Sequence, residues 1–175
     1  VLPTRGEHAD VMGYPVIGAD TDLPALLAKT SSAIVTVGQI KSAAIRIKLF
    51  ELLKTLGTYL PTIQSPSSYC SKHAVIGEGT IVMHGSLVNA GARVGANCII
   101  NSQALIEHDV EIADHCHIST GAKVNGSVRI GKGTFVGSGS ILKEGITLGQ
   151  GVVIGAGQLI FKDVPDGMMI KAQHV

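Results

Sequence analysis

The stretch from Ile76 to Ile160 reads IGEGTIVMHGSLVNAGARVGANCIINSQALIEHDVEIADHCHISTGAKVNGSVRIGKGTFVGSGSILKEGITLGQGVVIGAGQLI. Every sixth residue in this stretch is aliphatic, without an insertion or deletion. The fifteen positions are Ile76, Val82, Val88, Val94, Ile100, Ile106, Ile112, Ile118, Val124, Ile130, Val136, Leu142, Leu148, Ile154 and Ile160. The residue three places after the aliphatic one is glycine in nine of the fifteen repeats, and the next residue is usually small or β-branched.

A period of six matches neither the alternation of a simple β-strand nor the 3.6-residue period of a helix. It predicts short strands separated by sharp corners, with the aliphatic and small residues directed inward and the glycine position turning the chain. Three such strands close a triangular coil of 18 residues, and successive coils stack as parallel strands. Residues one coil apart in sequence are therefore expected to be neighbours along the stack.

The composition of the 175 residues excludes several classes of protein. The 14 Lys and Arg residues are balanced by 13 Asp and Glu, Trp is absent, and aromatic residues make up 3%, so a nucleic-acid-binding surface is not expected. The mean hydropathy is +0.35, but no stretch has the roughly 18 consecutive apolar residues of a membrane span. Three cysteines without a CxxC pair indicate an intracellular protein, and we expect it to be cytoplasmic.

The residues before the repeat follow a different pattern. Pro15–Gly18 and Ala33–Gly38 are typical of short strands, and Asp22–Lys29 is typical of a helix start. Ser42–Leu56 has the spacing of an amphipathic helix, with Ile45, Leu49, Leu52, Leu53 and Leu56 on its apolar face. We therefore predict two domains, a small α/β unit over residues 1–60 and a β-helix over residues 61–175.

The repeat resembles that of the hexapeptide-repeat acyltransferases, which form a left-handed parallel β-helix. The order of α/β unit, helix and β-helix resembles the bacterial sugar O-/N-acyltransferases of the sialic-acid O-acetyltransferase (NeuD) type, which include UDP-4-amino-sugar N-acetyltransferases. The most specific stretch of the resemblance is Asn101–Gly126, NSQALIEHDVEIADHCHISTGAKVNG. That family normally begins with a strand and a GxGGH-type phosphate loop. Because this sequence has neither, residues 1–60 are expected to form an incomplete, Rossmann-like nucleotide-sugar-binding unit.

The resemblance implies a catalytic group of three residues. His108, two places after Ile106, matches the histidine that acts as general base in the family. A neutral imidazole suits proton abstraction near neutral pH. Asp109 would orient that imidazole, and the Gly126 N–H would bind the oxyanion of the tetrahedral intermediate. The 18-residue coil independently places Gly126 directly beside His108.

The resemblance also implies the binding residues and the assembly. His117, Gly126, Ser138 and Ala156 match positions that contact acetyl-CoA, and Gly38 matches a glycine that contacts the nucleotide sugar. Acetyl-CoA is then a co-substrate rather than a bound cofactor, no metal is required, and the assembly is expected to be a homotrimer. The expected reaction is transfer of an acetyl group to the amino group of a UDP-4-amino sugar.

Several alternatives remain open at this level. The same machinery would serve a sugar hydroxyl, as in sialic-acid O-acetylation, and the chain could also be a non-catalytic β-helix scaffold. His108, His115 and His117 invite a zinc interpretation, although the paired histidines of γ-class carbonic anhydrases are not present. His115 is interpreted as structural. Cys98 and Cys116 are one coil apart at inward positions and are expected to be reduced core thiols.

Overall fold

The structure, a computed structural model, describes residues 10–171. Its N-terminal part contains the antiparallel pair β1 (Asp10–Val11) and β2 (Tyr14–Pro15), a 3₁₀ turn at Asp20–Asp22, and helices α1 (Leu23–Leu27) and α2 (Ala44–Thr55). The remainder is a parallel β-solenoid of about 6 turns. Its two-residue strands are β3 (Ile63–Gln64), β4 (Tyr69–Cys70), β5 (Val75–Ile76), β6 (Ile81–Val82), β7 (Leu87–Val88), β8 (Arg93–Val94), β9 (Ile99–Ile100), β10 (Leu105–Ile106), β11 (Glu111–Ile112), β12 (His117–Ile118), β13 (Lys123–Val124), β14 (Arg129–Ile130), β15 (Phe135–Val136), β16 (Ile141–Leu142), β17 (Thr147–Leu148), β18 (Val153–Ile154), β19 (Leu159–Ile160) and β20 (Met169–Ile170).

The solenoid has three faces, as the period predicts. The first face consists of β3, β6, β9, β12, β15, β18 and β20, the second of β4, β7, β10, β13, β16 and β19, and the third of β5, β8, β11, β14 and β17. Leu105 pairs with Lys123 and Ile106 with Val124, which is a register of 18 residues. One coil therefore takes one strand from each face, and the corners between faces stack in columns.

The inward positions form one continuous core. Ile100, Ile106 and Ile118 are fully buried, and so are small residues of the repeat such as Ala104 and Ala122. Each fully buried aliphatic side chain contributes about 1.5–3 kcal/mol of hydrophobic stabilisation. The core is shared between neighbouring coils, so the coils stabilise one another.

Buried polar side chains in the core are satisfied by the backbone. The hydroxyl of Thr80 donates to the carbonyl of Gly95 at 2.8 Å and accepts the amide of Cys98 at 2.9 Å. Cys98 and Cys116 occupy the same column and are free thiols, and the Cys116 thiol donates to the carbonyl of Gly131 at 3.1 Å. They occupy positions that are filled by Thr80 and Thr134 in other coils of this column, and no disulfide joins them.

The solenoid extends beyond the repeat at both ends. It begins at Ile63, which pairs with Ile81 one coil later, so the first coil precedes the start of the regular repeat at Ile76. At the other end Val153 pairs with Met169, a register of 16 instead of 18. The last coil is two residues shorter than the others, so the six-residue period of the sequence does not predict it.

A Rossmann-like unit is not evident in residues 10–60, and residues 1–9 of the predicted unit lie outside the described part. No strand forms over Ala33–Gly38, and the single parallel bridge next to it joins Ser32 to Tyr59. Of Pro15–Gly18, only Pro15 belongs to a strand, and that strand pairs with β1. The physical reason is that the carbonyls of Val35 and Val37 accept hydrogen bonds from a buried arginine, Arg46, instead of from a neighbouring strand.

Both predicted helices form, but the predicted apolar face of α2 is wrong in part. Arg46, Phe50 and Leu53 are the buried residues of this helix, whereas Ile45 is 54% exposed. Phe50 packs edge-on against the imidazole of His115 with ring centroids 5.5 Å apart. The helix thus rests on the solenoid through a face that contains an arginine, which a hydrophobicity pattern assigns to solvent. Within residues 10–171, no helix has the length and apolarity needed to span a bilayer.

Candidate active site

His108 and Asp109 lie at the corner between the second and third faces, which we call the His108 corner. The chain leaves β10 at Ile106 and enters β11 at Glu111, so the two residues occupy the sharpest part of the bend. Asp109 adopts φ of +59°, a conformation that Asp tolerates better than most residues. The side chains of His108 and Asp109 are 62% and 67% exposed, so both are accessible to a substrate.

The carboxylate of Asp109 contacts the imidazole of His108. Its Oδ2 lies 3.0 Å from Nδ1. In the neutral ring a carboxylate partner selects the tautomer in which Nδ1–H donates, because a carboxylate can only accept. Nε2 then carries the free lone pair, which is the atom that a general base uses.

Gly126 lies one coil after His108 and is in contact with its imidazole. A methyl group in place of the Gly126 Cα hydrogen would lie 2.8 Å from both Cε1 and Nε2 of His108. Gly126 itself is buried, and within the described residues its amide has no hydrogen-bond acceptor. The corner therefore places a basic nitrogen next to an available N–H donor.

His117 lies on the first face rather than at the His108 corner. Its side chain points away from the solenoid core but is only 8% exposed, because the chain around Gln39 covers it. Nδ1 lies 2.8 Å from the Gln39 carbonyl, and Nε2 lies 3.2 Å from the amide nitrogen of Asn101. Burial lowers the pKa of His117, with the hydrogen bond to Gln39 acting in the opposite direction. The ring is held neutral with both nitrogens occupied.

Ser138 and Ala156 lie at the corner between the first and second faces, which we call the Ser138 corner. Both residues are exposed and line a cleft of about 270 Å³ together with Ile40, Lys41 and Phe135. Phe135 also packs edge-on against His117, with ring centroids 5.2 Å apart. Of the four residues assigned to acetyl-CoA by resemblance, Ser138 and Ala156 thus share a cleft, His117 lies behind one of its walls, and Gly126 lies at the His108 corner.

One chain does not bring all the predicted site residues together. His108, Asp109 and Gly126 share one corner, Ser138 and Ala156 share another, and His117 lies on the first face. Gly38 is exposed in the segment that covers the first face, and a side chain there would meet nothing within 4 Å. The first face is opposite the His108 corner, so Gly38 and His108 are on opposite sides of the same solenoid.

A buried polar cluster attaches the N-terminal segment to the first face, and the sequence gives little sign of it. The Arg46 guanidinium donates to the carbonyls of Val35, Val37 and Asn97 at 2.7, 2.9 and 3.1 Å. Arg46 is 1% exposed, and burial lowers its pKa to about 10. The side-chain amide of Gln39 donates, at 2.7 Å, to a backbone carbonyl that lies one coil after that of Asn97.

That carbonyl belongs to His115, which is also a member of the cluster. The imidazole of His115 is 2% exposed, its Nδ1 lies 2.9 Å from the amide nitrogen of Asn97, and burial lowers its pKa. These contacts agree with the structural role predicted for it. Because the cluster joins residues about fifty to eighty positions apart, only the folded chain reveals it.

The zinc interpretation finds no support in the positions of the histidines. His108 is exposed at a corner, whereas His115 and His117 are buried with other partners. Across residues 10–171, no three His, Cys, Asp or Glu side chains are grouped so that they could hold a metal ion.

Comparison with known proteins defines the class. Residues 73–108 match the model of the bacterial transferase hexapeptide, and residues 127–162 match the model of the hexapeptide repeat of succinyl-transferase. A comparison with curated protein sequences finds no match. The fold and the two matched segments define a transferase built on hexapeptide repeats.

Solved structures extend the similarity to almost the whole chain. The acetyltransferase domain of PglB from Neisseria gonorrhoeae, in complex with acetyl coenzyme A, is 35% identical, with a TM-score of 0.85, over 93% of this chain and 78% of that one. PerB from Caulobacter crescentus, in complex with CoA and GDP-perosamine, is 31% identical, with a TM-score of 0.88, over 93% and 77%. WeeI from Acinetobacter baumannii, at 24% identity and a TM-score of 0.85 over 93% and 77%, shares the fold. The chain belongs to the hexapeptide-repeat transferase family, and it is an acyltransferase.

Proposed function

We propose that this protein transfers the acetyl group of acetyl-CoA to the amino group of a nucleotide-linked 4-amino sugar. The observation that carries the proposal is the His108 corner, where an oriented imidazole lies against a glycine with a free amide. Two relatives more than 30% identical support the substrate class, since one holds acetyl coenzyme A and the other holds CoA with GDP-perosamine. Within that class, the NeuD-type resemblance favours a UDP-4-amino sugar.

The reaction forms a C–N bond and breaks a C–S bond. The amino nitrogen attacks the thioester carbonyl carbon and loses a proton to Nε2 of His108, which must be neutral to accept it. A sugar amine is mostly protonated at neutral pH, so one proton leaves it before attack. The tetrahedral intermediate carries a negative oxygen, to which the Gly126 N–H donates. Collapse of the intermediate releases the CoA thiolate, which takes the proton from the imidazolium.

Asp109 supports this step through its contact with Nδ1. The negative charge stabilises the imidazolium that forms when Nε2 takes the proton, and the hydrogen bond keeps Nε2 unprotonated beforehand. An orienting carboxylate of this kind does not need to accept the proton itself.

The acyl donor is assigned to the cleft of the Ser138 corner. Ser138 and Ala156 line it, and His117 lies behind Phe135 at its wall. Because the His108 corner and this cleft are at different corners of one solenoid, we infer that the complete site lies between neighbouring subunits of a homotrimer. The resemblance to the NeuD-type acyltransferases also leads us to expect a left-handed coil, a nucleotide-sugar contact at Gly38 and a cytoplasmic location.

The test is release of the CoA thiol from acetyl-CoA with a panel of acceptors. The panel contains UDP- and GDP-linked 4-amino sugars, free sialic acid and a blank without acceptor. We expect turnover with an amino sugar, and His108→Ala should lower kcat by about 10²–10⁴-fold. His73→Ala is the matched control because His73 is another exposed histidine of the solenoid.

The outcomes separate the alternatives. Turnover with sialic acid alone would replace N-transfer by O-transfer. An unchanged rate in His108→Ala would refute the base assignment, and no turnover with any acceptor of the panel would refute the proposed substrate class.

A further inference from the structure

The two carboxylate oxygens of Asp109 contact two different residues. Oδ2 contacts Nδ1 of His108, while Oδ1 lies directly over the Cα of Gly91 in the preceding coil. A methyl group on Gly91 would overlap Oδ1 and would lie 3.4 Å from Cγ and 3.5 Å from the amide nitrogen of Asp109. The carboxylate therefore occupies space that exists only because residue 91 has no side chain.

Backbone conformation alone does not explain the glycine at this position. Gly91 has φ of +75°. Many residues at the equivalent position of other repeats also have a positive φ, which is the conformation that favours glycine. Yet five repeats place a residue with a side chain there at φ between +54° and +61°: Asn97, Gln103, Asp109, His115 and Ser127. The corner tolerates a side chain elsewhere in the solenoid, and at residue 91 that side chain would collide with Asp109.

We propose that Gly91 is a positioning residue for catalysis: it admits the Asp109 carboxylate and thereby fixes the imidazole of His108. The inference rests on the proposed function only for its effect on rate. The dyad then lies between two glycines, with Gly91 under the carboxylate in the preceding coil and Gly126 against the imidazole in the following coil. Each glycine keeps open the space that one member of the pair needs.

The collision at residue 91 is with the end of a side chain, so the fold can absorb it. In Gly91→Ala the exposed carboxylate of Asp109 would rotate away into solvent and leave Nδ1 of His108. The remaining cost is the strain of an alanine at positive φ. A control must carry that strain without the collision.

Gly151→Ala is the matched control. Gly151 has φ of +62°, and a side chain there would meet nothing within 4 Å. It lies at the third corner, between the third and first faces, away from both parts of the proposed site. Thermal unfolding of the full chain should show similar midpoints for the two alanine variants.

We expect kcat of Gly91→Ala to be lower than kcat of Gly151→Ala by the same factor by which kcat of Asp109→Asn is lower than that of the wild type, with KM for acetyl-CoA unchanged. The double variant Gly91→Ala/Asp109→Asn should match Asp109→Asn within about twofold, because the two changes remove one interaction.

A second measurement needs no substrate. The ¹⁵N chemical shifts of the His108 ring, assigned with His108→Gln, report which nitrogen carries the proton in the neutral ring. We expect Nδ1–H in the wild type and in Gly151→Ala, and in Gly91→Ala a shift towards the tautomer mixture of Asp109→Asn.

The two measurements distinguish the possible failures. Wild-type ring shifts in Gly91→Ala, or equal kcat in the two alanine variants when Asp109→Asn is impaired, would overturn the role of Gly91. Altered ring shifts with no loss of rate in either Gly91→Ala or Asp109→Asn would uphold the positioning and would instead refute the catalytic role of the pair.

Discussion

The imidazole of His108 lies against the Cα of Gly126, so close that a methyl group on the glycine would be 2.8 Å from Nε2. The two residues are 18 positions apart, which is one coil of the solenoid. Gly126 adopts an ordinary negative-φ conformation, in contrast to the glycines at the corner turns. The requirement for glycine here comes from the imidazole and not from the backbone.

Gly126→Ala should therefore impair catalysis while the protein remains folded. The added methyl group pushes the imidazole away from the Gly126 amide, and a displacement of about 1 Å of a catalytic group costs about 10²-fold in rate. Steady-state kinetics should show the loss in kcat, and the thermal midpoint should change little because the displaced ring is exposed. A variant with wild-type kcat would show that the contact between these two residues has no part in the reaction.

Ala156→Leu should weaken binding of the acyl donor. The larger side chain extends into the cleft that Ala156 and Ser138 line, without touching His108 at the other corner. We expect a higher KM for acetyl-CoA and weaker CoA binding by calorimetry, with kcat at saturation preserved. Lys132→Leu, an equivalent exposed position at the third corner, should leave both unchanged. Equal KM values in the two variants would remove the cleft from the donor site.

Arg46→Met should destabilise the attachment of the N-terminal segment. The substitution leaves the carbonyls of Val35, Val37 and Asn97 without their donor, and unpaired buried groups of this kind cost about 1–3 kcal/mol. Urea unfolding of the full chain should show a loss of about 3 kcal/mol. Arg93→Met, an exposed arginine on the third face, should change the free energy of unfolding by less than about 0.5 kcal/mol. A loss no larger than that of the control would mean that the buried contacts add no net stability.

The protein should lose stability as the pH falls below about 6.5, the ordinary pKa of histidine. Burial lowers the pKa values of His115 and His117 in the folded state, so at acid pH the unfolded chain binds more protons than the folded one. Their neutral forms therefore contribute stability that is complete above the unfolded pKa and is lost as the pH drops through the folded values. Each histidine adds a slope of at most about 1.4 kcal/mol per pH unit.

Urea unfolding at several pH values between 5 and 8 measures this slope. His117→Asn should reduce it, whereas His73→Ala, at an exposed position, should leave it unchanged. An acid slope that is the same in all three proteins would contradict the assignment to the buried imidazole.

The sequence by itself determined the solenoid and its register. The aliphatic position recurs every six residues, and because each such side chain must enter the same core, only one alignment of successive coils buries them all. That alignment alone places Gly126 beside His108. The contact between Asp109 and His108 is equally local, since the two are neighbours in the chain.

Only the tertiary structure decided how the N-terminal segment is used. The alternation of strand and helix signals predicted a sheet, but the carbonyls of Val35 and Val37 accept hydrogen bonds from Arg46 instead of from a neighbouring strand, and Gln39 covers His117. These contacts do not recur along the chain with any period, so no pattern in the sequence predicts them. The register places Gly91 next to Asp109, but only the structure shows that the Asp109 carboxylate fills the space that a side chain of residue 91 would need. A repeat reveals what every coil shares, whereas the features that distinguish one corner from another depend on which side chains the fold brings into contact.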